Sequence, residues 1–172
     1  MRIKEPMRLR YQILLAVSAL VLVLDQLTKI YIDRTMELHS SITVIEGFFN
    51  ITYLRNKGAA FGILADSAWR LPFFLLVSTI AVAVILVVIK RLRDDQVLNA
   101  ASLSLIFSGA LGNLIDRVRL GEVIDFLDVH WKGHHWPAFN IADSAICVGV
   151  FLLAIEMIQE ERREKASQRP KA

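Results

Sequence analysis

The sequence is poor in several residue types that would place it in a familiar class. One cysteine and 8 glycines among 172 residues exclude a disulfide scaffold and a collagen-like repeat. A hydrophobic fraction of 55% excludes a disordered chain. The net charge is only +3, too small to indicate a nucleic-acid-binding protein. The lone Cys147 lies in an apolar stretch without a second cysteine, so we interpret it as a small packing residue.

Charged residues are rare in four long stretches. These stretches cover about residues 11–30, 71–90, 96–116 and 137–158. A helix needs about 20 apolar residues to cross a hydrocarbon layer of ~30 Å, so each stretch has a suitable length. Leu71–Ile89 has neither a charge nor a polar stripe, which argues against a soluble helical bundle. The sequence therefore predicts a membrane all-α bundle of four transmembrane helices, forming a single membrane domain over residues 1–172.

The first stretch could instead belong to a cleaved signal peptide. Asp25 and Lys29 stand where a cleavage site of small residues would be needed, so we keep this stretch as a span.

Basic residues flank the four stretches unevenly. They are Arg2, Lys4, Arg8, Arg10, Lys90, Arg91, Arg93, Arg162, Arg163, Lys165, Arg169 and Lys171. With four spans, all of them fall on one side, which the positive-inside rule makes cytoplasmic. Both termini are then cytoplasmic, and we expect two outward-facing connections, a cradle of about residues 39–70 and a loop of about residues 118–136.

The first outward connection has the composition of a small sheet. Ser41–Asn56 is rich in β-branched and aromatic residues and is interrupted at Glu46-Gly47, which predicts a short antiparallel β-sheet. Such a sheet could hold an extended peptide by edge pairing, although a surface loop with two unpartnered strands fits the composition as well. Ala65–Arg70, which contains Trp69, predicts a short interfacial helix.

Two acidic residues near the membrane have basic neighbours. A charge within a span costs about 2.5–3.5 kcal/mol, so a compensating partner is expected. Asp25 and Lys29 are four residues apart and can form an ion pair that anchors the helix. Asp116 is followed by Arg117, and we interpret this as a local salt bridge that holds Asp116 ionised.

Asp125 and Asp143 have no basic residue within helical reach. Asp125 follows the third span among apolar residues. Asp143 is expected about one and a half turns into the fourth span, roughly 10 Å below its outer end. Both can therefore meet near the outer surface. Two close carboxyl groups share one proton, which provides a base and an acid for the attack of water on an amide.

Other chemistries remain possible on the residues alone. His130, His134 and His135 could bind zinc, but without a patterned fourth ligand they indicate a polar interfacial loop. We predict no metal and no cofactor. A proton- or cation-coupled transporter, a peptide-binding membrane adaptor and a metal-dependent phospholipid hydrolase are the competing functions. A transporter would favour acids near the midplane and internal repeats, whereas here the acids crowd one side and no repeat is visible.

Five motifs together resemble a known family. They are DQLTK at 25–29, NKGAAFG at 56–62, GALGNLIDR at 109–117, VIDF at 123–126 and FNIADS at 139–144. In this order among four spans they resemble bacterial lipoprotein signal peptidase, also called signal peptidase II, over nearly the whole chain. One departure is Ser108, where that family often has glycine.

The resemblance implies an aspartyl endopeptidase of the inner membrane. It would cut prolipoproteins before a diacylglyceryl-modified cysteine, with Asp125 and Asp143 as the catalytic pair and the sheet with the interfacial helix as a periplasmic cradle. The residues that would support the site or bind substrate are Asn56, Gly109, Asn113, Asp116, Arg117, Val123, Asn140 and Ala142. Asp25 and Lys29 would be a structural polar pair. The expected partners are a lipid-modified prolipoprotein and membrane lipids, without nucleic acid, and we expect a monomer.

Overall fold

The computed structural model describes residues 7–58 and 68–167. Within these ranges, four helices are long and apolar enough to cross a membrane. They are α1 (Leu9–Thr35), α2 (Arg70–Arg91), α3 (Val97–Leu120) and α4 (Ile141–Ser167). The predicted four-helix membrane bundle is therefore confirmed.

Helix α3 is the centre of the bundle, because it contacts α1, α2 and α4. Its approach to α4 depends on small residues. A Cβ atom added to Gly109 would lie 2.3 Å from the carbonyl oxygen of Ala142, and one added to Gly149 would lie 2.7 Å from that of Ser102. Close backbone approach at small residues is a typical way to pack helices in lipid, where apolar surface alone gives little driving force.

A small antiparallel sheet caps one end of the bundle. Its strands are β1 (Ser41–Ile45), β2 (Phe49–Asn56), β3 (Val123–Trp131) and β4 (His134–His135), in that spatial order. The predicted strand pair within 41–56 is confirmed, and Gly47 takes the positive φ of 72° that its turn requires.

The outer connection of about residues 118–136 was predicted to be a loop, but it contains the end of α3 and the strands β3 and β4. Helix α3 continues to Leu120 and ends at Gly121, whose φ is 73°. The chain then enters β3, which pairs with β2 over most of its length. The first four residues of β3 are buried, so apolar side chains occupy both faces and the alternation that marks a half-buried strand is absent.

The sheet is attached to the helix ends by an apolar cluster. Ile32 of α1 packs there with Tyr53, Ile124 and Phe126 of the sheet. We call the end of the bundle that carries this cluster and the sheet the sheet end. At the opposite, basic end, the Arg10 guanidinium donates to the carbonyl oxygen of Leu92, joining the start of α1 to the α2–α3 connection.

Half of the predicted interfacial helix, which covers residues 65–70, lies outside the described residues. Residues 65–67 are not described, residues 68 and 69 form a turn, and Arg70 already begins α2. Residues 59–62 of the NKGAAFG motif likewise lie outside the described part.

Candidate active site

The start of α4 is fixed by a reciprocal cap. The Asn140 side-chain oxygen accepts a hydrogen bond from the Asp143 backbone N–H at 2.9 Å, and Oδ2 of Asp143 accepts one from the Asn140 N–H at 3.2 Å. This is a capping box, which fixes both the helix start and the orientation of its acidic member.

The cap corrects the predicted depth of Asp143. Helix α4 begins at Ile141, not near residue 137, because Phe139 is still extended and pairs with Leu127. Asp143 therefore lies in the first turn of α4, not one and a half turns inside it.

Asp125 is brought to the same place by the sheet. Its position in β3 is opposite Leu54 of β2, and Asn56 at the end of β2 donates to Asp125 Oδ2 at 3.0 Å. The Asn140 side-chain amide donates to the other carboxylate oxygen, Oδ1, at 2.8 Å. The strand pairing and the α4 cap thus converge on one carboxyl group.

Asn113 of α3 completes the link between the two acids. Its amide nitrogen donates to Asp143 Oδ1 at 2.7 Å, while its oxygen lies 3.2 Å from the Asn140 amide nitrogen. Asn140 is fully buried. The two aspartates are therefore joined through shared amide side chains, although they are 18 residues apart in the chain.

Both aspartates line one pocket of about 740 Å³ that opens between the helices. Other polar residues around it include Asn56, Asn113 and Arg117. The guanidinium of Arg117 stacks over the Phe74 ring, 4.9 Å from its centroid. The pocket therefore combines the two acidic side chains with walls that are mostly apolar.

One wall of this pocket was missed by the sequence reasoning. Helix α2 contributes Phe74, Val77, Ser78 and Ala81, which are spaced as one helical face. The signal was the pair of small residues Ser78 and Ala81, which lie about one turn apart on this face. Cys147 also lines the pocket and is exposed, so its interpretation as a packing residue was wrong.

The protonation of Asp125 is strongly affected by its surroundings. Burial, and next the nearby Asp143 carboxylate, raise the pKa of Asp125 from 3.8 to about 7, against the opposing effect of the Asn56 and Asn140 hydrogen bonds. A carboxyl group with this pKa can hold or release a proton near neutral pH, as general acid–base chemistry requires.

Asp25, Lys29 and Asp116 form a buried ionic cluster beside the pocket. The Lys29 ammonium lies 2.9 Å from Asp25 Oδ2 and 2.9 Å from Asp116 Oδ2. The expected salt bridge between Asp116 and Arg117 is therefore wrong. The reason is that Lys29 reaches across from α1, a contact that sequence neighbourhood cannot reveal.

The remaining predicted residues hold the elements together. Gly109 allows α3 to touch the backbone of α4 at the fully buried Ala142. Val123 is buried and lines the pocket. Ser108 is fully buried and donates to the Ser104 carbonyl of its own helix at 2.8 Å.

The three histidines considered for zinc binding lie elsewhere, on the β3–β4 hairpin that replaces the expected loop. His130 pairs with His135, and their rings stack at 4.7 Å. His135 Nδ1 lies 2.8 Å from Asp128. Burial acts to raise the pKa of Asp128, but the hydrogen bonds from His135 and Asn50 hold that pKa below its usual value.

The chain matches a family model described as signal peptidase (SPase) II over residues 17–159. This match covers α2 and α3 completely, most of α1 and α4, and both aspartates. The chain belongs to the signal peptidase II family.

Curated relatives agree with this membership. The chain is 69% identical to a lipoprotein signal peptidase of Geobacter sulfurreducens, covering 92% of this chain and 99% of that protein. It is 51% identical to the one of Syntrophotalea carbinolica, covering 91% and 98%, respectively. Among solved structures, a bacterial membrane enzyme determined by the in meso method at 2.3 Å resolution matches with a TM-score of 0.79. That likeness has 37% identity and covers 92% of this chain and 93% of the other.

These findings confirm the resemblance seen in the five motifs. A signal peptidase II with four membrane-spanning helices is a peptidase and a multi-pass protein of the bacterial inner membrane. The comparisons support this function over the transporter alternative.

Proposed function

We propose that the chain is an aspartic endopeptidase that removes signal peptides from prolipoproteins, with Asp125 and Asp143 as its catalytic pair. One observation carries the proposal. Both carboxyl groups line the same pocket, and both are hydrogen-bonded to the buried Asn140.

The chemistry follows from one proton shared between two acids. The ionised carboxylate takes a proton from water, whose oxygen attacks the peptide carbonyl carbon, while the protonated carboxyl donates to the carbonyl oxygen. In the second step, a proton passes to the amide nitrogen as the C–N bond breaks, leaving a new carboxyl and a new amine. Asn140 and Asn113 hold the two carboxyl groups in place throughout.

The proposed substrate is a prolipoprotein cut before a diacylglyceryl-modified cysteine. The family and the names of the relatives support it. The pocket supports it as well, because its walls on α2 and α4 are mostly apolar and lie between membrane-spanning helices. Apolar walls suit a substrate that remains in the lipid layer.

The basic end of the bundle is proposed to face the cytoplasm. Lys90 and Arg91 lie in the last turn of α2, at the same end as Arg10. The sheet and the pocket then face the periplasmic side. Trp131 and Trp136 are exposed at that end, as expected for aromatic side chains at a membrane–water interface. Since one chain supplies both aspartates, a monomer is sufficient.

A cleavage assay with purified protein tests the proposal. Lipidated and unlipidated forms of one prolipoprotein are incubated with wild type, Asp125→Asn and Asp143→Asn, and the products are followed by gel shift. Wild type is expected to cut only the lipidated form, without any ion gradient and in the presence of chelators. Each variant is expected to lose at least about 10⁴-fold in rate while remaining folded and able to bind substrate.

Asp116→Asn tests the alternative choice of partner. If Asp125→Asn cleaves normally while folded Asp116→Asn does not, Asp125 is not the partner of Asp143. Inhibition by a chelator would instead favour a metal-dependent hydrolase.

A further inference from the structure

Lys29 contacts more groups than the Asp25 side chain of its own helix. Its ammonium is almost fully buried and has three acceptors from two helices: Asp25 at 2.9 Å, Asp116 at 2.9 Å and the Asn113 side-chain oxygen at 3.0 Å. All three donor hydrogens of the ammonium are thereby used.

The two carboxylates bound by Lys29 each accept a hydrogen bond from the Gln26 side-chain amide, at 3.1 Å for Asp25 and 3.2 Å for Asp116. Each also accepts one backbone N–H, and these two N–H groups occupy equivalent places in the chain. Asp116 Oδ2 accepts the backbone N–H of Ile124 at 3.2 Å, and Asp25 Oδ1 accepts that of Ala142 at 2.9 Å. Ile124 immediately precedes Asp125, and Ala142 immediately precedes Asp143. Each carboxylate therefore holds the backbone N–H of the residue just before one of the two pocket aspartates.

We propose that Lys29 is a positioning residue that sets the spacing of the two catalytic aspartates by joining these two backbone attachments. This inference rests on the function proposed above. Lys29 touches neither aspartate in this arrangement. It acts through Asp25 and Asp116, and also through Asn113, which donates to Asp143.

A strand and a helix have no intrinsic reason to keep a fixed separation, and here β3 and α4 each supply one acid. A shared proton needs the two carboxyl groups in one geometry, and an error near 1 Å can cost about 100-fold in rate. Three charge-assisted contacts in a buried site resist such movement better than neutral hydrogen bonds do.

The test is Lys29→Met, compared with a second buried cation. Arg10→Met removes a buried guanidinium at the basic end, far from the pocket, and is the matched control. Both variants are expected to lose thermal stability in detergent. Only Lys29→Met is expected to lose about 100-fold in kcat per folded molecule, with KM changed less than threefold.

The pH profile provides a readout that a merely stabilising role would not move. The charged groups around the two aspartates in the described chain are Asp25 and Lys29 from α1 and Asp116 and Arg117 from α3. Removing the Lys29 cation removes an interaction that lowers the pKa of Asp125. The limb of the kcat profile governed by Asp125 should therefore move to higher pH in Lys29→Met and stay unchanged in Arg10→Met.

A triple variant, Asp25→Asn/Lys29→Met/Asp116→Asn, guards against a folding defect. It leaves no unpaired buried charge, and each asparagine oxygen can still accept its backbone N–H. Stability is expected to recover, whereas kcat is expected to remain about 100-fold low, because the charged link between the two attachments is gone and the neutral Gln26 amide is left to bridge them. A triple or single variant with kcat within threefold of wild type overturns the proposal.

Hydrogen exchange tests the attachments in the unmodified protein. The Ile124 and Ala142 amides are expected to exchange at least about 100-fold more slowly than those of the β1–β2 turn. Fast exchange at either amide overturns the proposal without any variant. Failure of the proposed function would look different, because wild type itself would then not cut the lipidated substrate.

Discussion

Helices α2 and α3 are both membrane-spanning, yet they differ in how much of each is buried and in whether the buried side chains are polar. Of the 18 most apolar consecutive residues of each helix, 11% are buried in α2 and 50% are buried in α3. The buried positions of α3 include Asn99, Ser102, Ser104, Asn113 and Asp116. The two buried positions of α2 are Ile85 and Ile89.

The difference teaches where polarity is placed in a small membrane enzyme. Lipid is as apolar as leucine, so burying apolar side chains between helices gains little there. Polar groups gain more, because in the interior they find partners that lipid cannot offer. Helix α2 can therefore be a plain apolar wall of the pocket, whereas α3 carries the hydrogen bonds that hold the site.

The largest effect is expected from Asp125→Asn, measured as the pH dependence of the unfolding free energy. The folded pKa of about 7 lies above the ordinary 3.8, so the folded protein binds more protons between these values. Wild type should lose up to about 4 kcal/mol of stability as the pH rises from 4 to 8. The neutral asparagine removes the part of this dependence that comes from Asp125.

Val84→Leu, a lipid-facing change in α2, is the control for that measurement and should keep the pH dependence of wild type. The same pH dependence in Asp125→Asn would show that Asp125 does not titrate in this range.

Asn140→Ala is expected to have the next largest effect, because it removes the side chain shared by both acids. Unpaired buried groups should lower the free energy of unfolding by about 1–3 kcal/mol. Loss of alignment should lower the cleavage rate by about 100-fold. Asn50→Ala, whose side chain binds Asp128 outside the pocket, is the matched control and should cleave normally. Equal rates in the two variants would refute the positioning role.

Gly109→Ala tests how tightly α3 packs against α4, in contrast to the largely lipid-facing α2. The added Cβ would meet the Ala142 carbonyl oxygen at 2.3 Å, so the helices must separate. We expect a loss of about 1–3 kcal/mol in thermal or denaturant unfolding. Val84→Leu, which also adds volume but faces lipid, should change stability by less than about 0.5 kcal/mol. A neutral Gly109→Ala would show that the α3–α4 contact is not tightly packed.

Ser108→Gly should have the smallest effect among the α3 changes. Within residues 7–58 and 68–167, the hydroxyl of Ser108 bonds only to carbonyls of its own helix, and a helical glycine costs about 0.5–1 kcal/mol. Cleavage of a lipidated substrate by this variant should match wild type. A large change in rate would indicate that Ser108 contributes to the site directly.

The sequence predicted well wherever the signal was local. Four apolar stretches gave the four helices, although α4 begins at Ile141 and not near residue 137. The strand pair around Gly47 followed from composition and a turn signal. By contrast, β3 was taken for a loop, because its first four residues are buried and the alternation of a half-buried strand is missing.

The site was predictable in its members but not in its connections. Asp125 and Asp143 stood out because they had no basic neighbour in the chain. The partner of Asp116 was misassigned to the adjacent Arg117, whereas Lys29 reaches it from another helix. The face of α2 that lines the pocket is not predictable from its length and lack of charge, because these identify a span but not which side of it faces the pocket.

The sequence by itself determined that this chain spans a membrane and which two acids are unpaired, because hydropathy and charge spacing are properties of neighbouring residues. Only the tertiary structure decided that a strand and a helix cap bring these acids to one asparagine, and that a lysine from α1 joins their supports. Such contacts join residues from α1, α3, β3 and α4. Folding alone sets the distances between these elements, since no local pattern in the chain encodes them.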